Sequence, residues 1–222
     1  IAITVIFLTP LFRFLPQAIL AAIIMVAVFG LIDIQTFRHV WSYNKGDAAA
    51  MIITFVAVLA IGIESGILVG VAATLLLFIW RTSRPHIAVV GRLGNSEIYR
   101  NVLRFEVQTC AKAIAMRVDE SLYFANAKYL EDTVLSSIAD SPQIEHFVLI
   151  GTAINFIDAS ALTTLESLHQ ELKDANVTFH LAAVKGPVMD RLIDIGFIDH
   201  FGEEHIHVST HEAMKSIGCV TE

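Results

Sequence analysis

The sequence predicts a membrane α-helical segment over residues 1–84 followed by an α/β domain over residues 85–222, with a central mixed β-sheet and packed helices. Two observations separate the halves. Charges before Trp80 are few (Arg13, Asp33, Arg38, Lys45, Asp47 and Glu64), in a chain that is 55% hydrophobic, against roughly 45–50% for soluble domains. After Arg84, strand-like and helix-like patterns alternate instead. The seam is the run from Phe78 to Pro85, where an apolar helix ends in an interfacial Trp80, in Arg81 and Arg84, and in the helix-stopping Pro85.

Three apolar segments precede the seam. The first runs from about Leu15 to Ile32, with Pro16 in its first turn, where a missing N–H costs little. The second runs from about Asp47 to Ile63, with Asp47 placed to cap it. The third runs from about Ser65 to Trp80. Each is near the roughly 17-residue lower limit for crossing a bilayer. The stretch Ile1–Pro10 is apolar and has no basic leader region, so it reads as the end of another membrane helix. The expectation is the C-terminal portion of a longer membrane protein.

Loop charges set an orientation. Arg38, His39 and Lys45 lie between the first two segments, and Arg81 and Arg84 follow the third. Only Glu64 lies between the second and third, and Arg13 is the one dissenting positive charge. The positive-inside rule then places the soluble domain in the cytoplasm, at the inner (plasma) membrane of a multi-pass protein. Gly62, Gly66 and Gly70 recur every four residues, a spacing that lets helices approach closely, and they are assigned to packing of the second and third segments. Glu64, at the helix junction, reads as exposed at the membrane surface.

In the second half, strands are expected at His86–Val90, Ile114–Val118, Leu122–Phe124, Phe147–Ile150, Phe179–Val184 and Ile206–Val208. Helices are expected at Lys128–Ala139, Ala159–Asp174, Val188–Ile195 and Thr210–Ile217. Leu162, Leu165, Leu168 and Leu172 form one stripe of the second. Gly186-Pro187 opens the third and Gly196 closes it. Strand-then-helix order implies a largely parallel or mixed sheet with helices against it.

Several function classes find no support. The net charge of -7 lies mainly in the soluble half and argues against nucleic acid, whose phosphates need a basic face. No Ser-His-Asp, Cys-His or paired-carboxylate arrangement stands out, so no catalytic residue and no cofactor is assigned. Gly91-Arg92-Leu93-Gly94 lacks the spacing of a phosphate loop and reads as an ordinary turn. Cys110 and Cys219 have no C-x-x-C partner and read as two unpaired thiols in a reducing cytoplasm. His200, His205, His207 and His211 cluster near the C-terminus. His205 and His207 would share a strand face, yet no Cys, Asp or Glu completes a metal site, so they read as solvated histidines.

The stretch Phe147–Phe197 carries identity. A buried strand leads to Asp158-Ala159-Ser160-Ala161, which opens a helix; a second strand, a Gly-Pro turn and a short helix ending in Ile-Gly-Phe follow. This resembles the STAS domain, shared by bacterial anti-sigma-factor antagonists and the C-termini of sulfate permeases. In the antagonists the turn reads Asp-Ser-Ser-Gly and its second serine is phosphorylated. Ser160 stands at the matching position and Asp158 at the aspartate, while Ala159 and Ala161 depart from the pattern. Ser121-Leu122-Tyr123-Phe124-Ala125-Asn126-Ala127 is similar to the Phe-x-Asn-Ala run that precedes the first STAS helix. Upstream, LPQAILAAIIMVAV and the Glu64–Gly70 stretch resemble the end of the membrane domain of the SulP anion transporters.

The resemblance covers essentially the whole chain. It implies a secondary transporter with about fourteen membrane segments in two inverted repeats, working by alternating access on an inorganic anion (sulfate-like, or bicarbonate or a dicarboxylate). Such transporters bind substrate near the midplane between half-helices whose N-termini attract anions. In SulP proteins those are the third and tenth segments, upstream of Ile1, so no substrate ligand is nominated. The resemblance further implies a homodimer and a STAS domain that regulates, assembles or binds partners, acyl carrier protein among them in some bacterial relatives. For Ser160 the residues leave two readings open. Asp158 is the helix N-cap with Ser160 a good first-turn residue, or Ser160 is a phosphorylation switch beside the positive helix end. The rival to transport is a membrane-tethered regulatory module that uses that switch and transports nothing.

Overall fold

The computed structural model describes residues 17–29 and 33–220. The start of the first apolar segment, with Arg13 and Pro16, and the Ile1–Pro10 stretch lie outside the described residues. The chain divides into two compact units, Ile1–Leu77 and Phe78–Glu222.

The first unit contains α1 (Gln17–Phe29), α2 (Ile34–Tyr43), α3 (Lys45–Ile61) and α4 (Ile63–Thr82), the last of which runs on into the second unit. α1 is apolar on every side, the pattern of a helix immersed in lipid or protein. α4 has 20 residues, and an 18-residue stretch of it has a mean hydropathy of 2.0, enough to cross a bilayer by length and composition. α2 occupies what the loop charges suggested was a connection. Asp33 caps it by accepting from the Thr36 N–H at 2.9 Å. Phe37, Val40 and Trp41 share one side while Arg38 and His39 take another, so the segment is an amphipathic helix carrying its basic charges. Asn44 ends α2 and caps α3 through the Gly46 N–H.

Gly66 and Gly70 are buried against α3. A Cβ on Gly66 would lie 2.4 Å from the Val58 Cα, and one on Gly70 would lie 2.3 Å from the Thr54 Oγ1. Gly62 stands apart from the packing assignment it shared with them. Nothing lies within 4 Å of its Cβ position, and its φ of +91° makes it the residue that turns the chain from α3 into α4.

The second unit is built on a six-stranded sheet. Its strands are β1 (Ile87–Arg92), β2 (Tyr99–Asn101), β3 (Ala113–Val118), β4 (His146–Ile150), β5 (Thr178–Ala182) and β6 (Ile206–His207). The order is β2-β1-β3-β4-β5-β6. β1 is antiparallel to both neighbours, and β3 through β6 are parallel. Helices α5 (Ala127–Ala139), α6 (Ala159–Asp174), α7 (Gly186–Asp194), α8 (Phe197–Phe201) and α9 (Thr210–Ser216) complete it.

Period-2 alternation sends large residues to one face and small ones to the other. Met116, Val118, Phe147, Leu149, Phe179 and Leu181 join Leu130 and Val134 of α5, Leu165, Leu168 and Leu172 of α6, and Val188 and Leu192 of α7 in the main core. On the opposite face Ala88, Ala113, Ala115 and Ala182 leave room for α9, which seats Ala213, Met214 and then Ile217 against Val148 and Ile150. The parallel β4 and β5 read as near-continuous apolar runs because both faces are covered.

Three sequence expectations shift. Leu122–Phe124 is no strand; only Leu122 pairs, as a single bridge to Ile157. β5 stops at Ala182, short of Val184, because Ala183 takes a φ of +54°. Gly91 and Arg92 lie within β1, and the turn begins beyond them. A left-handed Ala costs about 1–2 kcal/mol, part of which glycine returns through its own chain entropy. Ala183→Gly is therefore expected to raise domain stability by about 1 kcal/mol, read by thermal unfolding.

The expectation of two unpaired thiols is overturned. Cys110 and Cys219 form a disulfide with a Cα–Cα distance of 5.6 Å, across 109 positions of sequence. Gly218, at φ +72°, reverses the chain after α9, and the Cys219 N–H donates back to the Met214 carbonyl. That turn carries Cys219 to the β2–β3 connection, a proximity no local spacing announces.

Candidate functional site

The site grows from the loop before α5. Asn126 is fully buried. Its Oδ1 accepts from the Tyr123 N–H at 3.0 Å and its Nδ2 donates to the Ser121 carbonyl at 2.8 Å. This shapes residues 121–126 so that the Leu122 N–H meets the Phe156 carbonyl and the Asp158 N–H meets the Leu122 carbonyl. The Phe-x-Asn-Ala run thus acts as a bracket for the α6 turn. Asn126→Ala would orphan both loop groups and is expected to cost about 2–3 kcal/mol, read as a lower unfolding midpoint.

Asp158 is placed by that bracket and serves two donors. Its Oδ1 accepts from the Ala161 N–H at 2.8 Å, capping α6, and its Oδ2 accepts from the Phe124 N–H at 2.9 Å. Ser160 lies in the first turn of α6 with its side chain exposed. Ala161 is fully buried, which explains why only a small residue serves there. The structure therefore brings Asp158 and Ser160 to one helix start, the carboxylate holding the backbone and the hydroxyl facing solvent.

Beside this start lies a groove of about 420 Å³ between α6 and α7. Phe156, Ile157, Leu162, Val188 and Ile195 make it largely apolar, and Asp158 and Ala159 form one edge. Phe156 and Ile195 are exposed. The Arg191 guanidinium sits over the Phe156 ring, 5.5 Å from its centre. The Lys185 ammonium donates to the Asn155 side-chain oxygen. The charged residues that line this apolar trough are Arg191, Asp158 and Asp194, so it suits an apolar side chain and carries charges of both signs at its edges. Sequence reading named Asp158 and Ser160 but not the groove, because its walls come from separate helices. The one local signal is Asn155-Phe156-Ile157, an apolar pair placed in a turn.

The histidines arrange themselves differently from the solvated cluster expected. His200 is exposed, but His207 is buried on β6. It joins His146 of β4 and buried His180 of β5 in a ladder across three parallel strands. His146 Nδ1 lies 3.2 Å from His180 Nε2, and His180 Nδ1 lies 3.2 Å from His207 Nε2. His205, in the turn before β6, meets the His180 ring edge to face. Neutral imidazoles, each donating at one nitrogen and accepting at the other, satisfy such a chain. Among the described residues, no group of three or more His, Cys, Asp and Glu is placed to hold a metal ion.

Burial holds His180 down to about 3, with His205, His146 and His207 adding to the effect. Burial also lowers His146, where Lys112 and His205 assist and Glu145 opposes, and His207, where Glu212 opposes and His205 assists. The unfolded chain takes up protons near 6.5, whereas these folded side chains take them up only at lower pH. Their stabilisation is therefore present above pH 6.5 and is lost as pH falls. For His180 alone the loss is about 1.4 kcal/mol at pH 5.5. Thermal unfolding at pH 7.5 and 5.5 is expected to show that drop, and His180→Phe to shrink it.

Comparison with known proteins follows the same division. The STAS domain model matches residues 104–213 and the sulfate permease family model matches residues 1–54. Over 226 residues the chain is 33% identical to probable sulfate transporter 4.2 of Arabidopsis thaliana, covering 97% of this chain and 33% of that one. It is 28% identical over 231 residues to high affinity sulfate transporter 2 of Stylosanthes hamata, covering 100% of this chain and 35% of that one. The chain thus spans about a third of the length of the curated relatives it matches. Its fold is similar to the murine Solute Carrier 26 family member A9 anion transporter in the inward-facing state. The TM-score is 0.79 at 22% identity, over 93% of this chain and 34% of that one. With a membrane-family match followed in order by a STAS match on one polypeptide, the chain belongs to the sulfate permease (SulP) family of multi-pass membrane proteins and carries the family's STAS domain.

Proposed function

We propose that this chain supplies the closing membrane helices and the cytoplasmic STAS domain of a secondary-active inorganic anion transporter. What supports the reading is the order of two family matches, sulfate permease then STAS, on one chain. The substrate is a small inorganic or dicarboxylate anion, sulfate first among those to test. Its ligands belong to half-helices elsewhere in the protein. The helices here form part of the scaffold that a substrate-carrying domain moves against, and Gly66 and Gly70 lock α3 to α4 within it. The protein works as a homodimer in the plasma (inner) membrane.

The STAS domain has a regulatory or partner-binding role in this reading. Its surface is the α6 start, with Asp158 as the structural cap and Ser160 as the exposed hydroxyl, together with the groove between α6 and α7. A partner that buries an apolar side chain in the groove fits this surface, and acyl carrier protein is the first to test. A phosphate on Ser160 would stand in the first turn of α6, where helix electrostatics favour it.

The test is complementation of cells that lack sulfate uptake by the full-length gene. Restored growth on limiting sulfate is expected. Growth restored only by other anions would redirect the substrate. No restoration with the protein present in the membrane, together with phosphate found on Ser160, would favour the membrane-tethered switch instead.

A further inference from the structure

We propose that Cys110 and Cys219 are a redox-modification site, a dithiol–disulfide pair that exchanges with a small thiol such as glutathione and latches α9 to the sheet. The inference rests on the cytoplasmic placement of the STAS domain proposed above. In a reducing compartment a disulfide is a transient, regulated bond rather than a permanent staple.

The geometry gives the pair both reach and consequence. The Cα atoms are 5.6 Å apart, within the range a disulfide bridges without moving the backbone. Both side chains are half-buried at the rim of the smaller core, so a thiol can approach them. Cys110 lies on the β2–β3 connection at one edge of that core, and Cys219 follows α9 directly. α9 has seven residues, too few to hold a helix by itself. It stays on the sheet through Ala213 and Met214, with Ile217 after it, and through the tether at its end. Its start is tied as well, since Ser209 caps it and Glu212 accepts from the Val208 N–H beside His207. Opening the bond therefore frees the end of α9 that carries Ile217.

The exchange balances with glutathione alone. One glutathione thiolate attacks a sulfur of the Cys110–Cys219 bond, forms a mixed disulfide and expels the other cysteine as a thiolate, which takes up a proton. A second glutathione thiolate attacks the mixed disulfide, releasing the remaining cysteine and glutathione disulfide. Two glutathione thiols lose two electrons and two protons, and the protein disulfide gains them. The reverse reaction, with glutathione disulfide as oxidant, closes the latch.

The experiment uses the full-length protein in membranes, equilibrated with glutathione and glutathione disulfide at ratios from glutathione-disulfide excess to large glutathione excess. After acid quench, differential alkylation and peptide mass spectrometry read the bonded fraction, and hydrogen exchange reads residues 210–217. The bonded fraction is expected to fall from nearly complete to nearly absent across the series. Exchange over 213–217 is expected to rise at least about tenfold on reduction. Cys110→Ser should exchange at the reduced rate in every buffer while β4 and β5 keep their protection, which shows that the variant is folded. A bond absent even in glutathione-disulfide excess, a bond that survives the largest glutathione excess, or exchange indifferent to reduction would each overturn the proposal. Labelling reduced protein with a membrane-impermeant maleimide from each side reports the orientation separately, so a misplaced domain is told apart from an inert cysteine pair.

Discussion

Gly66→Ala is expected to destabilise the α3–α4 pair by about 3 kcal/mol or more. The new methyl would lie 2.4 Å from the Val58 Cα and 2.5 Å from its backbone nitrogen. Backbone cannot rotate aside as a side chain does, so the helices must separate and lose their other contacts. The second glycine offers a contrast. At Gly70 the obstacle is the Thr54 side chain, with Oγ1 at 2.3 Å and Cγ2 at 2.7 Å. Thr54→Ala removes both atoms, so Gly70→Ala with Thr54→Ala is expected to recover much of the loss from Gly70→Ala alone. Val58→Ala leaves the offending backbone in place and is expected to recover little of the loss from Gly66→Ala. Unfolding midpoints in detergent of the four single variants and the two double variants, beside the unsubstituted protein, form the two double-mutant cycles that measure this. Equal rescue at both positions would mean that the close approach at Gly66 is not backbone to backbone.

Asp158→Ala is expected to destabilise the soluble unit by about 2–3 kcal/mol. One part is the lost α6 cap, worth about 1 kcal/mol. The other is the bond from the Phe124 N–H, which water can reach but which is made to a charged oxygen, worth about 1–2 kcal/mol. The two add because the oxygens serve different segments. Asp158→Asn should fall between, since it keeps one acceptor oxygen and turns an NH2 donor toward the N–H the other oxygen served. Ser160→Ala should leave stability within about 0.5 kcal/mol, because its hydroxyl faces solvent. Chemical denaturation of the domain separates these outcomes. A large loss on Ser160→Ala would show that the hydroxyl is part of the cap and would weaken its assignment as a modifiable group.

What could be read from the chain follows from what is local. β4 and β5 are apolar runs between turn residues, and the α6 leucines repeat at helical spacing, so the parallel core was visible before any coordinate. Asp158 was legible as a cap because capping spans three residues. Features set by distant contacts were not. β2 has three residues and exists because β1 offers a hydrogen-bonding edge. α2 hid behind Arg38 and Lys45, which a charge count reads as a loop. His146, His180 and His207 lie on three strands that only parallel register aligns. The disulfide closes across 109 positions, and the groove needs α6 and α7 side by side. Asn126 was quoted as part of a motif, but that it binds the loop that seats Asp158 emerges only when Leu122 is seen bridging Ile157.

The most direct test of the transporter reading is uptake of labelled sulfate, bicarbonate and a dicarboxylate by proteoliposomes holding the full-length protein, beside a version lacking everything after Pro85. Saturable uptake of one of these anions is expected, with the truncated protein showing how far turnover depends on the STAS domain. A folded, correctly inserted protein that moves none of the three would contradict the reading and leave the membrane-tethered regulator in its place.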